Sequence, residues 1–225
     1  MKIFAIGRNY SAHAKELNNA VPEEPVVFIK PQSALLKNDM PFDMPQFSQH
    51  VDYETELVIR ICRNGKNISL EKASEYYRDL TVGIDFTARD IQNKCKENGL
   101  PWELAKAFDH SAAIGNFIPL KKIKDLNNLN FHLNKNQKTV QSGNSKDMSF
   151  SIDFIISFIS RYFTLNIGDL IFTGTPEGVG KVNDGDLLEA FIENERLLHC
   201  EVKDTVKANE NKRRKSFREK TKSEE

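Results

Sequence analysis

At 225 residues, with 39% apolar and 28% charged side chains, the chain is long enough for one well-buried core and too apolar for wholesale disorder. Its 32 Lys and Arg balance 32 Asp and Glu, but eight basic and five acidic residues fall in 204–225, so the body is slightly acidic and offers no broad basic field for nucleic acid. Cys62, Cys95 and Cys200 are odd in number and lack CxxC spacing, which argues against a disulfide framework or a thiolate zinc site and points to a reducing compartment.

The first apolar stretch, Ile3–Ile6, ends at Gly7 and Arg8 and is too short for the core of a signal peptide. Lys2–Ile6 reads as a strand, Tyr10–Leu17 as a helix and Val26–Lys30 as a second strand. Strand patterns follow at Tyr53–Arg63 and Leu80–Thr87, with helical patterns at Leu70–Tyr76 and Ala88–Asn98. Further along come a strand at Leu129–Leu133, a helix at Ile152–Phe163 and strands at Asp169–Thr173 and Leu187–Ile192. The helix follows Ser149 and Ser151, either of which suits an N-cap, and repeats apolar residues at 152, 155, 156, 159 and 163. Asn64-Gly65-Lys66 and Asp184-Gly185 are hairpin-type turn signals. The apolar run from Phe150 to Phe163 is broken by Asp153, Ser157, Ser160 and Arg161 and cannot span a bilayer. A cytoplasmic protein is expected.

Strands dominate, and they do not alternate with helices as in a Rossmann-type sheet. The expected class is α/β, mostly β, with one catalytic domain over residues 1–203. Residues 204–225, whose only large apolar residues are Val206 and Phe217, read as a flexible basic tail.

Glu54 and Glu56 in DYETELVIRI are two apart, so a strand puts both carboxylates on one face. Alone, such a pair is often a plain exposed face. Asp85 changes the reading, because it interrupts the apolar LTVGIDFTA, where a lone carboxylate is costly unless neutralised or coordinated. Three carboxylates from two strands make a hard-oxygen set suited to Mg²⁺ or Mn²⁺. His13 and Glu16 lie three apart and are neighbours on a helix, an arrangement that makes the imidazole a better base but also occurs on ordinary helix surfaces. Lys106, between two alanines and ahead of Phe108, fits either a partly buried site or a snorkelling surface lysine. Gly174 and Thr175 follow the strand-like DLIFT and precede Pro176; without a GK[ST] ending they suggest a turn that holds a carboxylate rather than a nucleotide.

In order, GRNYSAHAKE, FIKP, DYETELV, GIDFTARDIQ, GLPWELAKAFD and FTGTPEGVG resemble the fumarylacetoacetate hydrolase superfamily, and within it the short branch of acylpyruvate hydrolases and oxaloacetate decarboxylases. The resemblance implies a mixed β-sandwich roll, a homodimer, and Mg²⁺ or Mn²⁺ held by Glu54, Glu56 and Asp85. It also implies a base dyad of His13 and Glu16 on a lid, an active-site Lys106, and substrate contacts from Arg8, Lys30, Arg89, Gln92 and Thr175. Asp52-Tyr53 departs from the pattern, since relatives often carry His before the acidic pair, and the basic tail is extra. The implied activity is hydrolytic carbon-carbon cleavage of acylpyruvate-type 2,4-dioxo acids through a metal-stabilised enolate, with oxaloacetate decarboxylation open to the same site. The alternatives are a 2-hydroxyhepta-2,4-diene-1,7-dioate-type isomerase or hydratase and, more remotely, a binding protein that works through its tail.

Overall fold

The computed structural model describes residues 1–16, 22–37 and 39–206. Among them, an eight-stranded mixed sheet runs in the order Val26–Lys30, Ile3–Gly7, Leu170–Phe172, Thr55–Ile61, Tyr77–Asp85, Ala112–Ile114 and Leu35–Lys37, with Ile118–Pro119 also paired to Tyr77–Asp85. A five-stranded sheet follows the order Lys138–Asn144, Asn130–Lys135, Leu187–Ile192, Glu195–Lys203 and Phe42–Asp43. Gly180–Lys181, Val51–Tyr53 and Thr87–Ala88 form a third, small sheet. The helices are α1 Ser11–Glu16, α2 Arg89–Glu97, α3 Glu103–Lys106 and α4 Ile152–Tyr162. No described helix is long and apolar enough to cross a membrane.

Strand alternation explains how the large sheet is buried on both faces. Leu57 and Ile59 join the main core with Leu80, Val82 and Ile84 of the neighbouring strand, whereas Val58 packs on the opposite face with Ile3, Ala5, Leu170 and Phe172. Phe131, Leu133, Leu188 and Ala190 of the five-stranded sheet, with Ile155 and Ile159 of α4, close the main core. Ser151 caps α4 by accepting a hydrogen bond from the Phe154 N–H at 3.3 Å.

The expected strand Tyr53–Arg63 is two strands. The chain leaves the small sheet after Tyr53 and joins the large one at Thr55, with Glu54 at the junction. Leu70–Tyr76 is a 3₁₀ rather than an α-helix. Asp184-Gly185 turns the chain from the small sheet into the five-stranded one, whereas Asn64-Gly65 lies in the connection from Thr55–Ile61 to Leu70–Tyr76, where Gly65 bridges Leu165; neither closes a hairpin. Two-residue hairpin turns fall instead at Asn136-Gln137, with φ of 52° and 66°, and at Glu193-Asn194, with Glu193 at φ 50°, both joining strands of the five-stranded sheet. Leu17, at the end of the expected first helix, lies outside the described residues, as do 207–225 of the expected tail. Asp204 belongs to the folded body: it is buried, and its N–H donates to Asp184 Oδ1 at 2.9 Å.

Candidate metal centre and active site

Strand register assembles the acidic cluster. Glu56 stands opposite Gly83, and the Asp85 N–H donates to the Glu54 carbonyl at 2.8 Å, so residues 54, 56 and 85 share one face of two adjacent strands. One carboxylate oxygen from each lies within 4.8 Å of the other two, and all three side chains are buried. Glu56 Oε2 accepts from the Gly174 N–H at 2.6 Å. Gly174 has φ +101°, and a Cβ there would meet the Asn9 Cβ at 2.7 Å, so the turn needs glycine to bring its amide onto the carboxylate.

Cations surround the cluster. Lys106 Nζ donates to Glu54 Oε2 and Asp85 Oδ2, each at 2.7 Å, and to Thr87 Oγ1. Arg89 binds Glu54 through Nη2 and Asp52 through Nε, and donates to Gln92 Oε1. Lys30 Nζ lies 2.6 Å from Asp85 Oδ1 and donates to the carbonyl and hydroxyl of Ser111. Burial alone would lower the Lys106 pKa, yet the charges of Asp85 and Glu54 prevail and raise it. At Lys30 burial prevails and lowers it. Glu54 is held well below the usual carboxylate range, because Lys106 and Arg89 outweigh its burial.

The residues fit a divalent cation. Burial, then the charges of Asp85 and Glu54, push the Glu56 pKa well up, so these cations leave the third carboxylate short of compensation. Asp85 Oδ1 is buried and, despite its ion pair with Lys30, takes part in no hydrogen bond of proper geometry. An ion that accepts hard oxygen ligands answers both needs.

The other expected residues divide. His13 lines the same pocket as the three carboxylates, with Arg8, Arg89, Gln92, Lys106 and Thr175. His13 Nδ1 is 3.1 Å from Glu16 Oε2, and the Gly178 N–H donates to Glu16 at 3.1 Å, tying α1 to the TGTPEGVG segment. The Thr175 hydroxyl donates to the Thr55 carbonyl and accepts from Gln141 Nε2, both at 2.9 Å. Lys30 stands apart from these: it has no exposed surface and does not line the pocket, and it pairs with Asp85 from beneath.

Several site residues carry no motif. Asp52, at the position that departs from the family pattern, is buried and bridges His50 and Arg89. Gln141 comes from a polar edge strand and also donates to the Pro176 carbonyl. Lys96, Trp102 and Phe28 line the pocket as well. Of these, Lys96 had a readable signal, because 89, 92 and 96 share one face of a helix.

Residues 2–203 match the family described as fumarylacetoacetate (FAA) hydrolase C-terminal. The chain belongs to this family. Among its relatives, the mitochondrial oxaloacetate decarboxylase of Dictyostelium discoideum is 43% identical over 192 residues, covering 85% of this chain and 88% of that protein. The mitochondrial oxaloacetate tautomerase of Homo sapiens is 40% identical over 190 residues, covering 84% and 86%. The crystal structure of fumarylpyruvate hydrolase from Pseudomonas aeruginosa in complex with Mn²⁺ and pyruvate superposes with a TM-score of 0.86 at 35% identity, covering 91% of this chain and 90% of that one. The strand-rich mixed fold is thus the FAA hydrolase fold, and hydrolase, decarboxylase and tautomerase all occur among the names of these relatives.

Proposed function

We propose that this FAA hydrolase family member is a Mg²⁺- or Mn²⁺-dependent enzyme that cleaves the carbon-carbon bond next to the pyruvoyl unit of small 2-oxo acids. Its substrates are acylpyruvate-type 2,4-dioxo acids, with oxaloacetate decarboxylated in the same pocket. The observation that carries this reading is the buried set Glu54, Glu56 and Asp85 sharing one pocket with His13, whose Nδ1 lies 3.1 Å from Glu16 Oε2.

Glu54, Glu56 and Asp85 would hold a divalent cation, which would supply a Lewis acid to stabilise negative charge developing on a 2-oxo oxygen. His13, oriented by Glu16, takes a proton from water as that water attacks the distal carbonyl, and pyruvate leaves as its enolate. Gly178 fixes Glu16 and so fixes the imidazole. Lys106 and Arg89 neutralise Glu54 and present positive charge to an anionic substrate. Thr175 and Gln92 border the same space and orient the bound acid. In oxaloacetate the departing group is CO₂, and no attacking water is required, so His13 has no proton to take.

The homodimer implied by the family has a candidate surface in the apolar groove of about 700 Å³ lined by Ile29, Phe47, Leu104 and Phe108. Leu104 is 75% exposed and Phe47 55% exposed there. The test of function is steady-state turnover of acetylpyruvate, fumarylpyruvate and oxaloacetate with Mg²⁺, read by product analysis. Cleavage to pyruvate supports the proposal. A product rearranged without loss of carbon favours the isomerase reading and overturns it.

A further inference from the structure

The two halves of the site hang on different parts of the fold. The carboxylates belong to the large sheet, where Thr55 pairs with Ile84 and Glu56 with Gly83. His13 and Glu16 belong to α1, a helix of six residues that is too short to be stable by itself. Glu16 is tied to the body by the Gly178 N–H. The course of the 174–178 segment therefore sets where the imidazole stands relative to the carboxylates.

One buried side chain joins the sheet to that segment. Gln141 comes from Lys138–Asn144, at the edge of the five-stranded sheet, and is 2% exposed. Its Oε1 accepts from the N–H of Thr55, the residue between Glu54 and Glu56, at 2.9 Å. Its Nε2 donates to the Thr175 hydroxyl at 2.9 Å and to the Pro176 carbonyl at 3.0 Å. The Thr175 hydroxyl donates in turn to the Thr55 carbonyl at 2.9 Å, which closes a ring through Thr55, Gln141 and Thr175. Both amide hydrogens are engaged, and turning the amide over would set its NH₂ against the Thr55 N–H, so the ring fixes its orientation. The same strand underlies the far end of the segment. Gly178 has φ +93°, and a Cβ there would lie 2.6 Å from the Val140 carbonyl, so its backbone rests on this strand with its N–H turned to Glu16.

We propose that Gln141 is a positioning residue for the hydrolytic reaction: by joining Thr55 to Thr175 and Pro176, it sets the distance from the metal-binding carboxylates to the His13–Glu16 dyad. The inference rests on the hydrolase reading of the pocket. A misplacement of about 1 Å can cost about 100-fold in rate, and hydrolysis needs both halves of the site in register. Decarboxylation needs no attacking water and depends on the carboxylates alone. A glutamine that only satisfies buried polar groups where two sheets meet would lower stability and reduce both reactions by one factor.

The test uses the full chain with Mg²⁺, well below the melting temperature of each variant, and reads kcat and KM for acetylpyruvate and oxaloacetate on the same preparations. Gln141→Met keeps the length and loses all three hydrogen bonds, while Thr175 retains the Thr55 carbonyl. Its kcat for acetylpyruvate is expected to fall about 10- to 100-fold with KM within about threefold, and its kcat for oxaloacetate to fall by a factor at least about fivefold smaller. Gln141→Glu keeps the shape, but only its neutral carboxyl group can both accept from Thr55 and donate to Thr175. Its acetylpyruvate rate relative to the parent should therefore rise as pH falls. Equal losses in both reactions, a Gln141→Met kcat within about threefold of the parent, or a Gln141→Glu ratio that is flat with pH overturns the assignment and leaves the hydrolase reading standing. If Gln141→Met does not fold, the pH dependence of Gln141→Glu decides alone. A parent that releases no pyruvate from acetylpyruvate overturns that reading and the assignment with it.

Discussion

Replacing Glu56 by glutamine separates its role as a metal ligand from its role in the fold. The substitution keeps the shape, and the amide oxygen can still accept from the Gly174 N–H, now 2.6 Å from Glu56 Oε2. Burial and the charges of Asp85 and Glu54 already disfavour the ionised carboxylate in the metal-free protein, so the neutral isostere should leave metal-free stability unchanged or slightly increased. The loss appears only with metal. At Mg²⁺ 100-fold above Kd, binding stabilises the fold by about 2.7 kcal/mol, which for a domain of this size raises Tm by about 5–10 °C. Losing one charged ligand worth about 2.7 kcal/mol weakens binding roughly 100-fold. At the same Mg²⁺ the variant then gains only about 0.4 kcal/mol, on the order of 1 °C. Thermal melts of parent and Glu56→Gln with and without Mg²⁺ read both effects. A variant that keeps the full Mg²⁺-induced rise would refute Glu56 as a ligand; one that melts far below the metal-free parent would show that the carboxylate serves the fold instead.

Three further outcomes are expected. His13→Ala should cut acylpyruvate cleavage by about 10²–10⁴-fold while leaving oxaloacetate turnover largely intact; equal losses in both assays contradict a dyad that serves only to activate water. Truncation after Val206 should leave kcat/KM within about twofold, because the residues removed lie beyond the last site segment, and a tenfold loss would show that they contribute to the site. Burial holds up the pKa values of Tyr10, Tyr77 and Cys200, the last pushed up to about 12. Groups raised in the folded state contribute stability that is fully present below their unfolded values of 9.0 for the thiol and 10.0 for the phenols and is lost as pH rises through the folded ones. Denaturant midpoints should therefore fall as pH rises from about 9 towards 12; a flat profile contradicts the buried, un-ionised state of these groups.

The chemistry of the site was more legible than the path of the chain around it. The two-residue spacing of Glu54 and Glu56, with Asp85 inside an apolar run, is a local signal of buried charge, and strand register does bring the three together. The i, i+3 spacing of His13 and Glu16 is equally local and holds as a 3.1 Å contact. The sheet switch at Glu54 left no trace, because apolar residues continue on both sides of it and pattern alone cannot say which strand pairs with which. Lys30 sits in a motif, but its burial under Asp85 and Ser111 depends on residues more than fifty positions away. Gln141 belongs to a polar edge strand, KTVQSGN, whose alternation is too weak to read, and its function is to hold Thr175 and Pro176. Asp52 looked like a departure from a family pattern; in the fold it anchors Arg89.

The most direct measurement of the account is an anomalous-difference map from crystals of this chain soaked with Mn²⁺ and pyruvate. One peak is expected, with oxygens of Glu54, Glu56 and Asp85 at about 2.0–2.2 Å and the carboxylate and 2-oxo oxygens of pyruvate on the same ion, facing His13. A peak that omits any of the three carboxylates, or pyruvate bound away from the ion, would contradict the assignment of this pocket as a metal-dependent 2-oxo acid site.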